Sequence, residues 1–160
     1  MKSSKTETKE RRFLGLKPVI IETFHIPTMT KIITGSFWNK STKALQDQLV
    51  DKVAEITAAT YVTQFSSFSD QLFEISSEIN GPQDTVLVNT QIISPGKAPV
   101  PIIYVMRSIQ SKIGVIDILL GNRISELAKK RSEYRQSLRS NGLQGLVTTL
   151  DRKLTNMLSQ

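Results

Sequence analysis

The sequence predicts an α+β fold: an antiparallel sheet of about four strands packed against N-terminal and C-terminal helices. Three observations lead there. Between Thr85 and Leu120, runs rich in Val, Ile, Leu and Tyr alternate with breakers, giving Thr85–Ile93, a turn at Ser94-Pro95-Gly96-Lys97, then Val100–Ile109 and Lys112–Leu120. Apolar residues recur every three or four positions in the segments before this stretch. They do so again in the segments after it. The connections between strands are short, which makes the sheet a meander. Val100, Ile102, Tyr104 and Met106 share one strand face, and Pro101, Ile103, Val105 and Arg107 the other. A sheet apolar on both faces cannot leave one side wholly wet, so helices or apolar material other than protein must cover it.

The elements follow in order. Residues 1–10 are polar and read as a frayed tail of a single domain spanning 1–160. A short helix is predicted after Pro18, since proline suits a first helical turn, with His25-Ile26-Pro27 as its break. Thr28–Trp38 reads as a second short helix through Met29, Ile32, Ile33 and Phe37. Thr42–Tyr61 is the clearest helix: Ser41 or Thr42 can cap it, and Leu45, Leu49, Val53 and Ile56 form its stripe. It can continue to Phe65, and the Ser-rich segment Ser66–Ser69 should end it. Gln71–Ile79 fits either a helix extension or a strand; the turn-like Asn80-Gly81-Pro82 favours the strand. Gly121-Asn122 ends the meander. Ile124–Leu138 and Leu143–Leu158 read as helices separated by Ser140-Asn141-Gly142, with Leu143, Leu146, Val147, Leu150 and Leu154 of the second facing inward.

The formal charge of +7 sits at the two ends of the chain. Six Lys and Arg face two Glu over residues 1–20, and eight face three acids over 121–160. That bias is compatible with nucleic acid, anionic lipid, an acidic partner or a plain solvated surface. The chain has no Cys, which excludes disulfides, thiolate nucleophiles and Cys-ligated zinc. No run approaches the roughly 18 apolar residues of a spanning helix. The one His, His25, lies between Phe24 and Ile26 and reads as structural. Asp117 lies inside the apolar run Val115–Leu119, so its carboxylate must be paired, hydrogen-bonded or turned to a polar cleft. A strand-face ion pair or a turn-stabilising acceptor is the plain reading, and an acid or base in a cleft the enzymatic one. No second acid is evident, and no Gly-rich loop matches a phosphate-cradling motif. Lys129-Lys130-Arg131 with Arg135 and Arg139 is a basic run without the interleaved aromatics of a nucleic-acid platform.

Several segments together resemble the soluble auxiliary proteins of ABC lipid transporters, the toluene-tolerance or MlaC-like family, and among them the branch associated with hopanoid biosynthesis. Ile26-Pro27-Thr28-Met29-Thr30 leads to Gly35-Ser36-Phe37-Trp38, similar to the family's stretch ending in Gly-Arg-Tyr-Trp. Tyr61 falls where the family's long helix ends, and Val88–Val105 resembles its strand, Pro-Gly turn and strand. Asp117, Gly121, Ile124–Ala128, Arg131–Tyr134 and Gly142–Leu146 resemble its C-terminal signature. Two departures concern subfamily and ligand: Ile113 stands where the family often has Trp, and Ser36 where it has Arg.

The resemblance implies a non-enzymatic carrier without a cofactor or metal. It implies a curved sheet with an apolar cavity between sheet and helices, filled by a phospholipid or a hopanoid-like lipid. It implies periplasmic location, with a leader peptide trimmed from this chain. It implies exchange of lipid with an inner-membrane ABC complex and an outer-membrane partner, and no nucleic acid. On that reading Ile32, Phe37, Leu49, Val53, Val86, Val88, Ile102, Tyr104 and Met106 are cavity candidates, each equally compatible with ordinary core. Lys129, Lys130, Arg131, Arg135 and Arg139 are candidates for partner docking, equally compatible with a solubilising surface.

Overall fold

The computed structural model describes residues 8–65 and 70–160. The architecture is α+β: the described residues form four helices and one open antiparallel sheet of five strands in the order β1-β2-β3-β4-β5. The expected helix stop at Ser66–Ser69 lies outside the described residues.

Helix α1 spans Lys9–Thr23, so it starts inside the expected tail and runs through Pro18 instead of beginning after it. Thr8 caps it, and Pro18 is exposed, so the carbonyl that loses its intrahelical donor faces water. Phe13 and Ile20 anchor the inner face. Lys17 pairs with Asp51 and Glu55 at 3.1 Å each, which ties α1 to α3. Helix α2 spans Ile26–Thr34 and takes Pro27 into its first turn, two residues before the predicted start. His25 precedes α2; its Nδ1 lies 2.7 Å from the Thr28 hydroxyl, and its backbone N–H donates to the Val115 carbonyl at 2.8 Å. That is the structural role expected of it. Gly35–Lys40, of which the sequence reading kept Gly35–Trp38 in the same helix, is a 3-10 turn, because Gly35 leaves the helix at φ +55°.

Helix α3, Lys43–Gln64, carries the core. Thr42 accepts from the Leu45 N–H at its start, and Leu49, Val53, Ile56, Ala58, Ala59 and Val62 are buried. Helix α4, Glu126–Ser159, is two arms folded back on each other at Asn141 and Gly142, the only residues in it with non-helical backbone. Lys153 reaches Glu133 at 2.9 Å, and the Ser137 and Thr149 hydroxyls are 3.0 Å apart. In a straight helix, residues 20 positions apart would be about 30 Å away. Leu143, Leu146, Val147 and Leu150 of the second arm complete the core.

The strands are β1 Leu72–Asn80, β2 Thr85–Ile93, β3 Val100–Ile109, β4 Lys112–Leu120 and β5 Ile124–Ser125. The segment compatible with helix or strand is therefore β1. The fifth strand is an addition to the predicted four: Leu119 and Leu120 pair with Ser125 and Ile124 before α4 begins. The β2–β3 turn closes with Lys97 N–H donating to Ser94 O at 3.2 Å, and Gly96 has φ +71°. Gln110 and Ser111, both at positive φ, turn β3 into β4. Between them β3 and β4 carry a register shift: Val105 lies opposite Asp117, and Met106 opposite Val115. Ile116 is the extra residue, a local irregularity of the kind that re-aims side chains.

Candidate functional site

The register assigns the sheet's two apolar faces. Thr90, Val88 and Val86 lie opposite Ile102, Tyr104 and Met106, and Tyr104 lies opposite Ile118. This face packs on the helices, with Tyr104, Met106 and Ile118 against the core. Leu87 lies opposite Val105, and Ile103 opposite Leu119, on the other face. Each face borders a cavity.

The smaller cavity, about 80 Å³, lies between the helices and the first face. Met29 and Tyr61 border it from α2 and α3, Phe24 from the link between α1 and α2, and Ile102, Tyr104 and Ile118 from the sheet. Burial, with the Tyr104 hydroxyl beside it, pushes the Tyr61 phenol well above the usual tyrosine range. Lys130 also borders it, and burial holds its ammonium below the usual lysine range. The larger cavity, about 620 Å³, has Leu87, Val105, Ile116 and Leu119 on the sheet side. Ile32 of α2 and Leu127 of α4 close its apolar wall, and Arg107, Arg123 and Arg131 supply charge. Its volume lies within the roughly 300–1,000 Å³ of ligand sites; the smaller one falls well short.

Asp117 separates the two cavities and borders both. Its Oδ1 accepts from the N–H groups of Ile118 at 2.7 Å and Leu127 at 3.1 Å, and its Oδ2 from the Ser125 hydroxyl. The Ser125 hydroxyl in turn accepts from Ala128 N–H at 3.0 Å. The carboxylate therefore seats the N-terminus of α4, where free N–H groups and the helix dipole favour an anion. This is the turn-stabilising role, and it engages both oxygens that an acid or base would need. Among the described residues no group of three or more His, Asp or Glu could hold a metal ion, and no helix is long and apolar enough to cross a membrane.

The nine cavity candidates divide. Ile32 borders the larger cavity, and Ile102 and Tyr104 the smaller. Leu49 and Val53 are buried in the core. Phe37, Val86, Val88 and Met106 are half-buried and border neither. The larger cavity draws on the alternate strand set, and a strand apolar on both faces carries no signal for which face opens. Arg107, a cation inside an apolar strand, was the available clue. Of the basic candidates, Lys129, Arg131, Arg135 and Arg139 are exposed. Lys130 is turned into a cavity wall, and Arg131 lies over Gly35: a Cβ on Gly35 would come within 3.2 Å of its Nη2.

The same architecture is known. A solved structure described as the phospholipid-binding protein from Ralstonia solanacearum in complex with a phospholipid superposes with a TM-score of 0.80 at 20% identity, over 94% of this chain and 84% of that one. At that identity the likeness establishes the fold. No curated protein matches the chain at the level of sequence. The MlaC protein family model matches residues 1–152, nearly the full length, so the chain belongs to the MlaC family.

Proposed function

We propose that this protein is a periplasmic lipid carrier that holds acyl chains in the larger cavity and exchanges them with membrane transport complexes. The observation that carries the reading is the cavity of about 620 Å³ with an apolar wall of Leu87, Val105, Ile116, Leu119, Ile32 and Leu127. Removing a chain from water is worth about 0.8 kcal/mol per methylene, so such a wall can retain lipid without covalent chemistry. MlaC membership and a neighbour described as binding phospholipid support lipid binding as the activity. The inner-membrane ABC complex and the outer-membrane partner belong to the proposal, as does a phospholipid or hopanoid-like cargo. Asp117 weighs against the enzymatic alternative, because its oxygens are held by Ser125, Ile118 and Leu127. The nucleic-acid alternative loses force because Lys130 is turned into a cavity wall, which interrupts the basic run.

Native mass spectrometry after gentle purification, followed by lipid extraction and uptake of labelled lipid, tests the reading. Stoichiometric lipid adducts that exchange with labelled lipid are expected. Absence of both adducts and uptake would overturn it.

A further inference from the structure

Three guanidinium groups border the larger cavity, each from a different element: Arg107 from β3, Arg123 from the turn before β5, and Arg131 from the first arm of α4. Among the described residues none of them forms a salt bridge. The Nε of Arg107 is buried and has no hydrogen-bond partner. A permanently charged donor in that state is costly and needs an acceptor. Arg131 is seated by the backbone: Gly35 combines φ +55° with an approach to the guanidinium that a Cβ would crowd at 3.2 Å. Among the described residues the only acid bordering the cavity is Asp117, and both its oxygens already accept hydrogen bonds from Ile118, Leu127 and Ser125. Three cations thus face one engaged carboxylate beside an apolar wall. The complement of that surface is an amphiphile with a compact anion at its head.

We infer that Arg107, Arg123 and Arg131 receive the phosphate of an anionic lipid headgroup and select phospholipid over uncharged lipid; this rests on the carrier reading. Guanidinium forks match phosphate oxygens two at a time; Arg107 is half-buried, while Arg123 and Arg131 are exposed and border the cavity. The site gives the cargo a polarity, with the phosphate at the arginines and the chains along Leu87, Val105 and Leu119. It disfavours a hopanoid-like lipid that lacks a phosphate.

The test measures equilibrium uptake of pyrene-labelled phosphatidylglycerol and of diacylglycerol with the same chains. Both are presented in neutral maltoside micelles, so surface attraction does not contribute. The wild type should prefer phosphatidylglycerol by at least about tenfold, the effect of a charged hydrogen bond. Arg107→Met and Arg131→Gln should collapse that ratio, while Lys97→Gln, which removes one charge at an exposed turn, should keep it. The melting temperature of Arg107→Met should not fall, because a half-buried cation whose buried Nε has no partner is being replaced by an apolar side chain. That separates a ligand contact from a structural one. Equal uptake of both lipids by the wild type would overturn the arginine site and leave the carrier reading standing. Uptake of neither would overturn both. Millimolar inorganic phosphate supplies the last arm. Saturable binding of phosphate alone, without discrimination between the lipids, would overturn the assignment to a headgroup.

Discussion

Replacing Asp117 tests how the sheet is joined to the helix that closes the cavity. Asp117→Ala strands three donors: the Ile118 and Leu127 N–H groups on Oδ1 and the Ser125 hydroxyl on Oδ2. Hydrogen bonds to a charged group are worth about 1.5–3 kcal/mol each. They are not additive, and loss of a helix N-terminal acceptor typically costs about 0.5–2 kcal/mol. Water can reach the half-buried site and compensate part of the loss. The expected destabilisation is about 2–4 kcal/mol, or about 5–15 °C for a chain of this length. Asp117→Asn discriminates further. Its amide oxygen can replace Oδ1 and keep both backbone donors, while its NH₂ meets the Ser125 hydroxyl, which can rotate. Asn should therefore cost about 1 kcal/mol. Urea denaturation followed by far-UV circular dichroism gives both values, with an unchanged m-value as the condition for comparing them. An Ala variant within about 0.5 kcal/mol of wild type would refute the capping role, since a single charged hydrogen bond exceeds that. Asn as damaging as Ala would show that charge, not the acceptor geometry at Oδ1, holds the helix end.

Gly96→Val should destabilise by about 1–2 kcal/mol through backbone strain alone. Gly96 has φ +71°, and no atom lies within 4 Å of a Cβ built there. An equilibrium melt unchanged within error would refute the turn. Alkaline pH should also destabilise the protein. Burial keeps the Tyr61 and Tyr134 phenols protonated in the folded state, whereas the unfolded chain ionises them near pH ~10. Above that pH the unfolded state binds fewer protons, so stability falls as pH rises; well below it these groups contribute no slope. Lys130, held below the usual lysine range by burial, acts in the opposite sense, so the test compares Tyr61→Phe with wild type at each pH. The variant should lose stability less steeply, and identical slopes would contradict the assignment. On the outer surface, Lys129, Arg135 and Arg139 to Glu should slow transfer from a membrane partner without lowering bound lipid. The defect should shrink in high salt as the Debye length falls from about 8 Å to about 3 Å, and an unchanged rate at low salt would remove this face from docking.

Legibility in the sequence followed the strength of the local signal. The meander was readable because Pro95-Gly96 and the apolar runs around it leave few alternatives, and Thr42 with the stripe from Leu45 announced α3. The path of α1 was not, since proline inside a helix is tolerated only because Pro18 faces water, which is a tertiary fact. The two residues of β5 carry no periodicity, and only their pairing with Leu119 and Leu120 defines them. Asn141-Gly142 signalled a break but not its direction; the fold-back follows from contacts such as Glu133 with Lys153. At the site, period-two alternation sorted the strand residues into two faces and could not say which one opens. The register shift that frees Ile116 and turns Asp117 to α4 has no sequence mark beyond an acid in an apolar run. The basic run was legible as charge, but its division into exposed Lys129, inward Lys130 and Arg131, exposed yet bordering the larger cavity, depends on helix phase against the sheet.

The central claim is that acyl chain lies along the sheet face of Leu87, Val105 and Leu119. The direct measurement is photocrosslinking with a phospholipid carrying a diazirine at the end of one acyl chain, followed by peptide mass spectrometry. Adducts should concentrate on Ile32, Leu87, Val105, Leu119 and Leu127, the apolar wall of the larger cavity. Adducts confined to the exposed side chains Leu72, Phe73, Ile75 and Ile79 of β1, with that wall unlabelled, would contradict it.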